Sequence, residues 1–499
     1  MKQWILGGVS VTAILTSSAA GWSLTAQEAW DKWKAGTESY GMELKSGGEQ
    51  TMDGKLTVSD VTFTYDVEDV FISGSIEQIE FAEQGDGSVA ITMSESMPIT
   101  ISGEGEPGEK VDGRLDVIQA GLKMTAADSD EGTTFTYTAD QTTVTIAELK
   151  VNGEDMPMSV NAVMKGFDGT YSIDNRSPAG IDSKFTTSGM DMSFDAMDPE
   201  GSGKMAMTLN LSDLSSWTKG QGMDMANMED MSKMLADGFS TEGGAEYGAV
   251  DFKMDFEEDG TTVQAEGKLS GGSAEVEMNA DKLRYGVTYE GLDVTVTGNQ
   301  IPFPEVTAQA GQLTTLFDIP VAESDTASPF AMKLVLGDLE VGEQIWAMID
   351  PGAVLPRDPA TLILDVAGKA RWMVDIFDEE AMMASAMPGQ VESVDLNELK
   401  LSIGGAELTG TGGFTFDNSD LETFDGMPRP EGNVRLVLNG GNGLLDNLTK
   451  MGLVPEDQAM MARMMTGMLA KPGDGDQLIS EIGIGADGQI SANGAPLPF

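Results

Sequence analysis

Apolar and polar residues alternate along most of the chain from Lys55 onward, and this period of two predicts β-strands. Where the alternation is clearest, one side of each predicted strand is apolar and the other carries aspartate, serine or asparagine. The clearest apolar positions are Met190, Met192, Phe194, Met205, Met207, Leu209, Phe252, Met254, Phe256 and Met278. Strands with one apolar and one polar face are typical of antiparallel sheets.

Short turn sequences separate the predicted strands. The dipeptides that favour tight hairpin turns are Asp86-Gly87, Asp112-Gly113, Asn152-Gly153, Asp168-Gly169 and Asp259-Gly260. Hairpins spaced by about ten residues favour a meander over parallel β/α units. The predicted fold is therefore mainly β with helical inserts. It is a long antiparallel β-meander, elongated or built of two similar lobes, with short helices packed on its apolar face.

A helix is predicted at the N-terminus of the mature chain, over residues 21–36. The sequence Thr25-Ala26-Gln27-Glu28 is a capping box, which marks the beginning of a helix. Trp30 and Trp33 are three residues apart and so lie on one helical face. We expect that face to pack on the body of the protein.

Three further helical segments interrupt the predicted meander. They are a methionine-rich helix from Leu211 to Gly238, a short helix around Ile345-Trp346-Ala347-Met348, and a helical hairpin near 444–470. A strand followed by a helix start recurs weakly at 205–217, 332–346 and 434–448. This repeat fits duplicated or merely analogous subdomains, which we place in a first β-rich lobe at 37–240 and a second at 241–499.

The first twenty residues have the pattern of a secretory signal peptide. Lys2 precedes an apolar stretch from Trp4 to Leu15, and Ser18-Ala19-Ala20 supplies small residues for cleavage. Cleavage after Ala26 is an alternative. An uncleaved membrane anchor is another, but the apolar stretch supplies only about half of the ~20 residues that span a bilayer. We expect export to the periplasm, with secretion as the alternative.

The composition excludes several kinds of chemistry. The chain contains no histidine and no cysteine, so zinc, haem and iron–sulfur sites, disulfides and triads built on those residues are ruled out. With 29 basic and 82 acidic residues, the formal charge is −53. Binding to nucleic acid is not expected, because phosphate recognition requires basic patches. The acidity itself fits a solvated surface or, alternatively, weak capture of cations.

No constellation of catalytic or metal-binding residues stands out among the carboxylates. Asp and Glu occur along the whole chain, and no linear spacing marks the facing pair that a glycosidase needs. Acidic turns such as 473–476 lack the twelve-residue pattern of a calcium loop. We therefore expect no cofactor and no enzymatic activity, and keep a carboxylate-dependent hydrolase as an alternative.

Methionine is unusually abundant, with 34 residues concentrated on the apolar faces of the predicted elements. Because its side chain is unbranched and polarizable, methionine suits surfaces that fit variable apolar partners, and a groove for acyl chains would use this property. The alternative is that methionine simply replaces leucine in an ordinary core.

A rigid connector is predicted between the short helix at 345–348 and the strand that follows. Pro351, Pro356 and Pro359 restrict its backbone. Arg357, flanked by Asp350 and Asp358, could hold the connector by ion pairs, and Trp346 precedes it. We favour a structural role for these residues over a binding role.

Four stretches together resemble the domain of unknown function 2125 family of secreted alphaproteobacterial proteins. They are Ala29-Trp30-Asp31-Lys32-Trp33; Trp346 to Pro351 with Leu355-Pro356-Arg357-Asp358-Pro359; Gly452 to Asp457; and Asp487-Gly488 to Asn493-Gly494. The resemblance covers nearly the whole mature chain but implies no activity. In outline the predicted architecture is also similar to AsmA-like envelope proteins, which are thought to hold lipid in an elongated β-groove.

The sequence thus favours a non-enzymatic periplasmic protein that binds or shields lipid or other apolar envelope material. The apolar-groove candidates are the ten residues from Met190 to Met278 named above. A structural or interaction protein of the envelope, with no ligand, is the main alternative. We expect no nucleic-acid partner and no integral membrane segment.

Overall fold

The computed structural model describes residues 23–39, 41–67, 70–104, 108–176, 179–198, 201–222, 230–385 and 387–497. Within these ranges the chain forms 28 strands and six short helices. The strands form one large antiparallel sheet. The prediction of a mainly β, antiparallel fold with helical inserts is therefore confirmed. The expected signal peptide, residues 1–20, lies outside the described residues.

The six helices are short and lie mostly between strands. They are α1 (Ala26–Ser39), α2 (Met231–Ala236), α3 (Glu343–Ile349), α4 (Glu379–Ala384), α5 (Gly441–Lys450) and α6 (Glu456–Leu469). The predicted capping box begins α1: Oγ1 of Thr25 accepts the N–H of Glu28, and the Glu28 carboxylate accepts the N–H of Thr25 at 2.9 Å.

The strands of the N-terminal half are β1 (Glu43–Lys45), β2 (Gly48–Met52), β3 (Lys55–Val67), β4 (Val70–Glu83), β5 (Val89–Met93), β6 (Ser96–Glu104), β7 (Lys110–Ala120), β8 (Lys123–Asp128), β9 (Gly132–Val151), β10 (Glu154–Asp155), β11 (Met158–Asp174), β12 (Gly180–Met197), β13 (Lys204–Gln221) and β14 (Ser240–Tyr247). Those of the C-terminal half are β15 (Val250–Glu258), β16 (Thr261–Leu269), β17 (Gly271–Met278), β18 (Lys282–Gly298), β19 (Val306–Pro320), β20 (Ser328–Val341), β21 (Ala360–Trp372), β22 (Gly389–Ile403), β23 (Ala406–Asp417), β24 (Arg429–Asn439), β25 (Lys471–Pro472), β26 (Gln477–Ile484), β27 (Ile490–Ala492) and β28 (Ala495–Pro496).

The sheet is a meander in which each long strand pairs with the one before it. Four of these long strands are interrupted near their middle, so that β5 with β6, β7 with β8, β14 with β15 and β16 with β17 are each one bent strand. The pairing continues without a break through β13, β14 and β15, across the boundary expected between two lobes at residue 240.

A transverse line of bulges, which we call the crease, crosses the sheet through the middle of its long strands. Asp60 in β3, Gly166 in β11, Asp213 in β13, Gly291 in β18 and Asp338 in β20 all have positive φ, between 48° and 61°. Neighbouring bulges lie side by side on adjacent strands. For example, a Cβ atom built on Gly248, between β14 and β15, would lie 2.7 Å from Oγ of Ser212.

The crease keeps the apolar side chains on one face while each strand bends. At Asp60, Asp213 and Gly291 the pairing register skips the bulged residue together with one residue of the neighbouring strand, and the alternation of side chains shifts by one position on both strands. In β13 the apolar face carries Met207 and Leu209 before Asp213, but Leu214 and Ser216 after it, as their cross-strand partners on β12 show. We name the two sides of the crease after the strands that flank it, the β14 wall and the β15 wall.

A closed hydrophobic core occurs at the N-terminal end of the sheet, where α1 packs across the crease. Trp30 is 2% exposed and belongs to one cluster with Phe81 on the β14 wall and Val61 on the β15 wall. Because a single helix contacts both walls, the apolar face is the inside of the bend. The expected docking of the tryptophan face is therefore observed, and Lys32 fixes α1 further through an ion pair of 2.7 Å to Asp128.

Helices replace the β15 wall at the C-terminal end. From β21 onward the strands pair within the β14 wall, while α3, α5 and α6 occupy the connections beyond the crease. The helical hairpin predicted near 444–470 is present as α5 and α6. At the edges of the sheet the strands are short, and Pro472 and Pro496 stand in them, which limits edge-to-edge pairing.

Several local predictions were wrong. Leu211 to Gln221, assigned to a methionine-rich helix, belongs to β13, and only Met231–Ala236 of that segment is a described helix. Cross-strand pairing with both β12 and β14 overrides the helix-like spacing of its leucines. Asp112-Gly113 and Asp168-Gly169 lie inside β7 and β11 rather than in turns.

Candidate functional site

The inner face of the β15 wall carries a continuous transverse row of apolar residues. Directly opposite residues in an antiparallel pair share a face, so the row can be followed from strand to strand. It consists of Met97, Val117, Val144, Ala162, Met192, Leu209, Phe252, Gly267, Val294, Ala308 and Val341, one from each of eleven strands. The single glycine leaves no gap, because the Phe252 ring occupies the position of its missing Cβ.

Nine of the ten predicted groove residues lie on this face. Met192 is opposite Leu209, and Leu209 is opposite Phe252. The other predicted residues lie in neighbouring rows on either side of this one. In those rows the opposite residues are Met190 and Leu211, Phe194 and Met207, Met207 and Met254, and Met205 and Phe256. The sequence pattern therefore brought together residues that are true neighbours across strands.

The tenth predicted residue, Met278, lies on the β14 wall, which has apolar rows of its own. The row nearest the crease consists of Tyr247, Gly272, Tyr289, Leu313, Leu336, Leu362, Leu401, Leu408, Leu438 and Leu478. Met278 itself is opposite Leu283, farther from the crease. The apolar surface thus covers both walls, and together they form a groove, which we call the creased groove.

Beyond the α1 end, the groove is only partly covered by protein. Of the 27 buried apolar residues in the described ranges, 15 belong to the cluster around α1. On the two walls Met207 is 37% exposed and Tyr285 48% exposed, while Met192 and Phe252 are half-buried. The apolar face is therefore continuous but only partly buried, a property that such a face shares with surface patches that contact other molecules.

The outer face of the same strands is polar and highly charged. Asp251 is opposite Lys268, and Lys253 is opposite Glu266, with ion-pair distances of 3.7 Å in both pairs. These pairs are solvent exposed and contribute little to stability, about 0–1 kcal/mol each. These charged side chains keep the outer face of the strands hydrated. The apolar side chains of the same strands lie on the inner face.

Small helical segments close parts of the rim of the β14 wall. Met234 and Leu235 of α2, together with Phe239, form a second buried cluster against Met278 and Phe377. Ser232 donates a hydrogen bond of 2.6 Å to the Asp375 carboxylate, which joins α2 to the segment before α4. Met278 therefore packs against protein.

The predicted connector contains a buried ion pair. Asp350 is 1% exposed, and its carboxylate accepts the N–H groups of Val354 and Leu355 and a 2.9 Å hydrogen bond from the Arg357 guanidinium. The guanidinium also stacks on the Trp346 ring, 4.2 Å from its centroid.

The remaining connector residues lie at the surface. Pro351, Pro356, Asp358 and Pro359 are all exposed, so the partner of Arg357 is Asp350 rather than Asp358. Pro356 lies against the β22–β23 hairpin, where a Cβ atom on Gly405 would be 2.9 Å from its ring. This contact attaches the connector to the end of the β14 wall, and the structural role of the connector stays a prediction.

Replacing Asp350 should destabilise the protein in a pH-dependent way. Burial raises the pKa of Asp350, but the two backbone N–H groups and Arg357 lower it more, so the pKa lies below its ordinary value of 3.8. A lowered native pKa stabilises the fold above pH about 4, and this contribution disappears as acid protonates the native carboxylate. We expect Asp350→Asn to lower the melting temperature at pH 7, and the difference from wild type to vanish as the pH falls below 4.

Thermal melts of wild type and Asp350→Asn between pH 7 and pH 2.5 measure this effect. Asp358→Asn is the matched control, because Asp358 is exposed in the same connector, and its melting temperature should follow wild type throughout. A difference for Asp350→Asn that persisted unchanged into acid would contradict the assignment.

No cation site emerges among the described carboxylates, since no group of three or more is arranged to hold a metal ion. Likewise, none of the helices in the described ranges is both long and apolar enough to cross a membrane.

Comparison with known proteins gives one match. Residues 249–497 match the model of a bacterial family described as an uncharacterized conserved protein, DUF2125. The chain belongs to this family. The DUF2125 match begins at the bend between β14 and β15 and runs through the connector and the helical hairpin. It does not include the Ala29–Trp33 segment of α1, so the match is shorter than the resemblance expected over nearly the whole mature chain. No curated protein and no solved structure matches the chain.

The sequence pattern did not lead us to predict the crease. A short sequence motif nevertheless marks it, both inside and outside the region that matches DUF2125. Three bulged aspartates stand in the same setting, Ser59-Asp60-Val61, Ser212-Asp213-Leu214 and Gly337-Asp338-Leu339. Aspartate tolerates positive φ better than most residues, and a small residue before it leaves room for the bulge. A small residue, Asp and a branched apolar residue in the middle of an alternating run therefore mark the crease.

Proposed function

We propose that this protein is a non-catalytic lipid-binding protein of the cell envelope, and that its creased groove shields acyl chains from water. The observation that carries the proposal is the eleven-strand apolar row, which is continuous and, apart from the buried Val117 and Gly267, only partly buried. Its similarity in outline to AsmA-like envelope proteins agrees with this proposal as an analogy of architecture only. The signal-like N-terminus supports a periplasmic location.

The chemistry of the β15 wall favours alkyl chains over an extended peptide. Its inner rows are formed by methionine, leucine, valine, phenylalanine, alanine and glycine. A peptide strand lying on them would bury N–H and C=O groups without partners, at about 1–3 kcal/mol for each unpaired group. An acyl chain has no such groups and gains about 0.8 kcal/mol for every CH₂ group removed from water.

The dimensions of the row also suit lipid chains. Eleven strands at about 4.8 Å spacing give a row about 48 Å long. This exceeds the ~30 Å thickness of the hydrocarbon core of a bilayer, which contains two opposed chains. One row can therefore cover a whole acyl chain and leave room for others beside it.

The titration behaviour of the carboxylates supports a non-catalytic role. A general acid of the glycosidase type needs a raised pKa. Among the described carboxyl groups with a clear shift, every pKa is lowered. At Asp365, for example, the hydrogen bond from Asn397 lowers the pKa, and burial opposes this less strongly. These groups are held as anions and accept hydrogen bonds.

Lipid extraction of the purified protein, followed by mass spectrometry, tests the proposal. We expect wild type to retain lipid and Met207→Asp with Leu209→Asp to lose it, with bound lipid falling by about tenfold or more, because two carboxylates in the rows cost well over the 1.4 kcal/mol that corresponds to tenfold. Thr208→Asp with Asn210→Asp is the matched control. It adds the same charge to the same strand on the exposed outer face, and it should retain lipid.

Circular dichroism of all three proteins separates loss of binding from loss of folding. Wild-type protein that carries no lipid and takes up none from added fatty acid would overturn the proposal and favour a structural role in the envelope. Equal loss of lipid from the inner-face and outer-face variants would overturn it as well.

A further inference from the structure

The C-terminal helix α6 presents an exposed stripe of methionines. Five side chains form the methionine stripe: Met460, Met461, Met464, Met465 and Met468, which are between 55% and 71% exposed. At about 100° per residue these positions fall within an arc of about 140°. Ala459, on the opposite side, is 2% exposed. The helix therefore packs with its small residues inward and holds its large apolar residues in solvent, the reverse of an ordinary amphipathic surface helix.

The orientation of the stripe is fixed by contacts in the middle and at the C-terminal end of α6. Near the middle of the helix Arg463 forms an ion pair with Asp446 of α5. At its C-terminal end the carbonyl of Leu469 accepts hydrogen bonds from Ser480 at 2.6 Å and from Asn493 at 3.0 Å. Because these contacts anchor the helix to α5 and β26, it is held with the methionines outward.

Charge distinguishes this surface from the rest of the protein. The chain as a whole carries −53, yet residues 458–473 contain no carboxylate. Their two cations are Arg463, which is paired with Asp446, and Lys471. A second copy of the chain would bring another −53 to the stripe, which long-range repulsion disfavours. A zwitterionic phospholipid surface adds no net charge, and it presents phosphate to Lys471 and hydrocarbon to the methionines.

We propose that the methionine stripe of α6 inserts into the interface of a phospholipid bilayer and brings the C-terminal end of the creased groove to the membrane. This inference rests on the proposed lipid-binding function. Leu453, at the turn between α5 and α6, is 59% exposed and extends the apolar surface beyond the stripe. Since α5 contacts β23 of the groove, the membrane contact adjoins the open apolar face along which a chain could pass.

Flotation with vesicles of phosphatidylcholine, which carry no net charge, tests the proposal on the full mature chain. We expect wild type to float with the vesicles. Met460→Gln, Met464→Gln and Met468→Gln together should reduce the bound fraction by about tenfold, since binding scales with the buried apolar area. The matched control is Met383→Gln with Met52→Gln, two methionines that are 82% and 65% exposed outside α6. It should float as wild type does.

The outcomes separate this inference from the function on which it rests. The inner-face variant Met207→Asp with Leu209→Asp should still float, whereas the triple stripe variant should still retain lipid that it already holds. Wild type that fails to float would overturn the membrane contact. So would light scattering that shows a dimer dissociated by the stripe substitutions, because a second copy would then cover the stripe.

Discussion

Deletion of Asp213 should abolish folding of the central sheet, although it removes only one exposed residue. Asp213 adopts φ 51° and supplies the extra position by which β13 changes phase at the crease. Without it, the residues after the crease move by one place. Trp217 and Lys219 then take the inner positions that Ser216 and Thr218 hold in the native strand, and a one-residue slip reverses every side chain of that half.

The expected loss is more than about 4 kcal/mol, which is the range of exceptional single changes. Far-UV circular dichroism and limited proteolysis of the purified variant measure it. Asp213→Asn should be nearly neutral, because asparagine also tolerates positive φ, whereas Asp213→Val should cost about 1–2 kcal/mol for the same backbone conformation. A deletion variant with a wild-type melting temperature would show that another residue can serve as the bulge.

Trp30→Ala should produce the largest loss of stability among substitutions on α1, about 3–5 kcal/mol. The Trp30 ring packs against Phe81 with ring centroids 5.8 Å apart and against Trp33 at 6.3 Å. Its indole N–H donates a hydrogen bond of 3.0 Å to Glu49. Truncation therefore opens a cavity at the closed end of the groove and removes one of the two hydrogen bonds that Oε1 of Glu49 accepts, the other coming from Ser46.

Urea denaturation followed by circular dichroism measures the effect of Trp30→Ala. Gln27→Ala is the matched control, because Gln27 is exposed on the same helix, and it should change stability by no more than about 0.5 kcal/mol. Equal midpoints for the two variants would mean that α1 contributes nothing to holding the two walls together.

The strands and their apolar faces could be predicted from the sequence because alternation is a local property. Met190, Met192 and Phe194 needed no knowledge of their neighbours to be placed on one face, and the structure brings them together with β13 and β15. The capping box at Thr25 was equally local. What alternation could not supply was the change of phase in the middle of each strand.

The wrong predictions arose where a local signal has two physical meanings. The dipeptide Asp168-Gly169 is typical of a hairpin turn, but both residues lie within β11. A Cβ atom on Gly169 would be 2.7 Å from the Tyr137 ring, so this strand position requires glycine. The glycine serves the close approach of an aromatic ring. Leu211 to Gln221 was assigned to a helix because the polar break at the Asp213 bulge interrupts the period of two. Helix α4 was not predicted, although Asp378 before it is an N-cap whose carboxylate accepts the N–H of Ala381.

The crease also bears on how such a molecule can grow. Because the long strands up to β20 cross the crease and pair mainly with their immediate neighbours, a hairpin inserted among them with the same central bulge would lengthen the trough without disturbing its cross-section. The length of the apolar trough would then increase stepwise with chain length, by about 10 Å for each added pair of strands. Relatives of different length would differ in how much hydrocarbon they cover, while the helices at the two ends stayed the same.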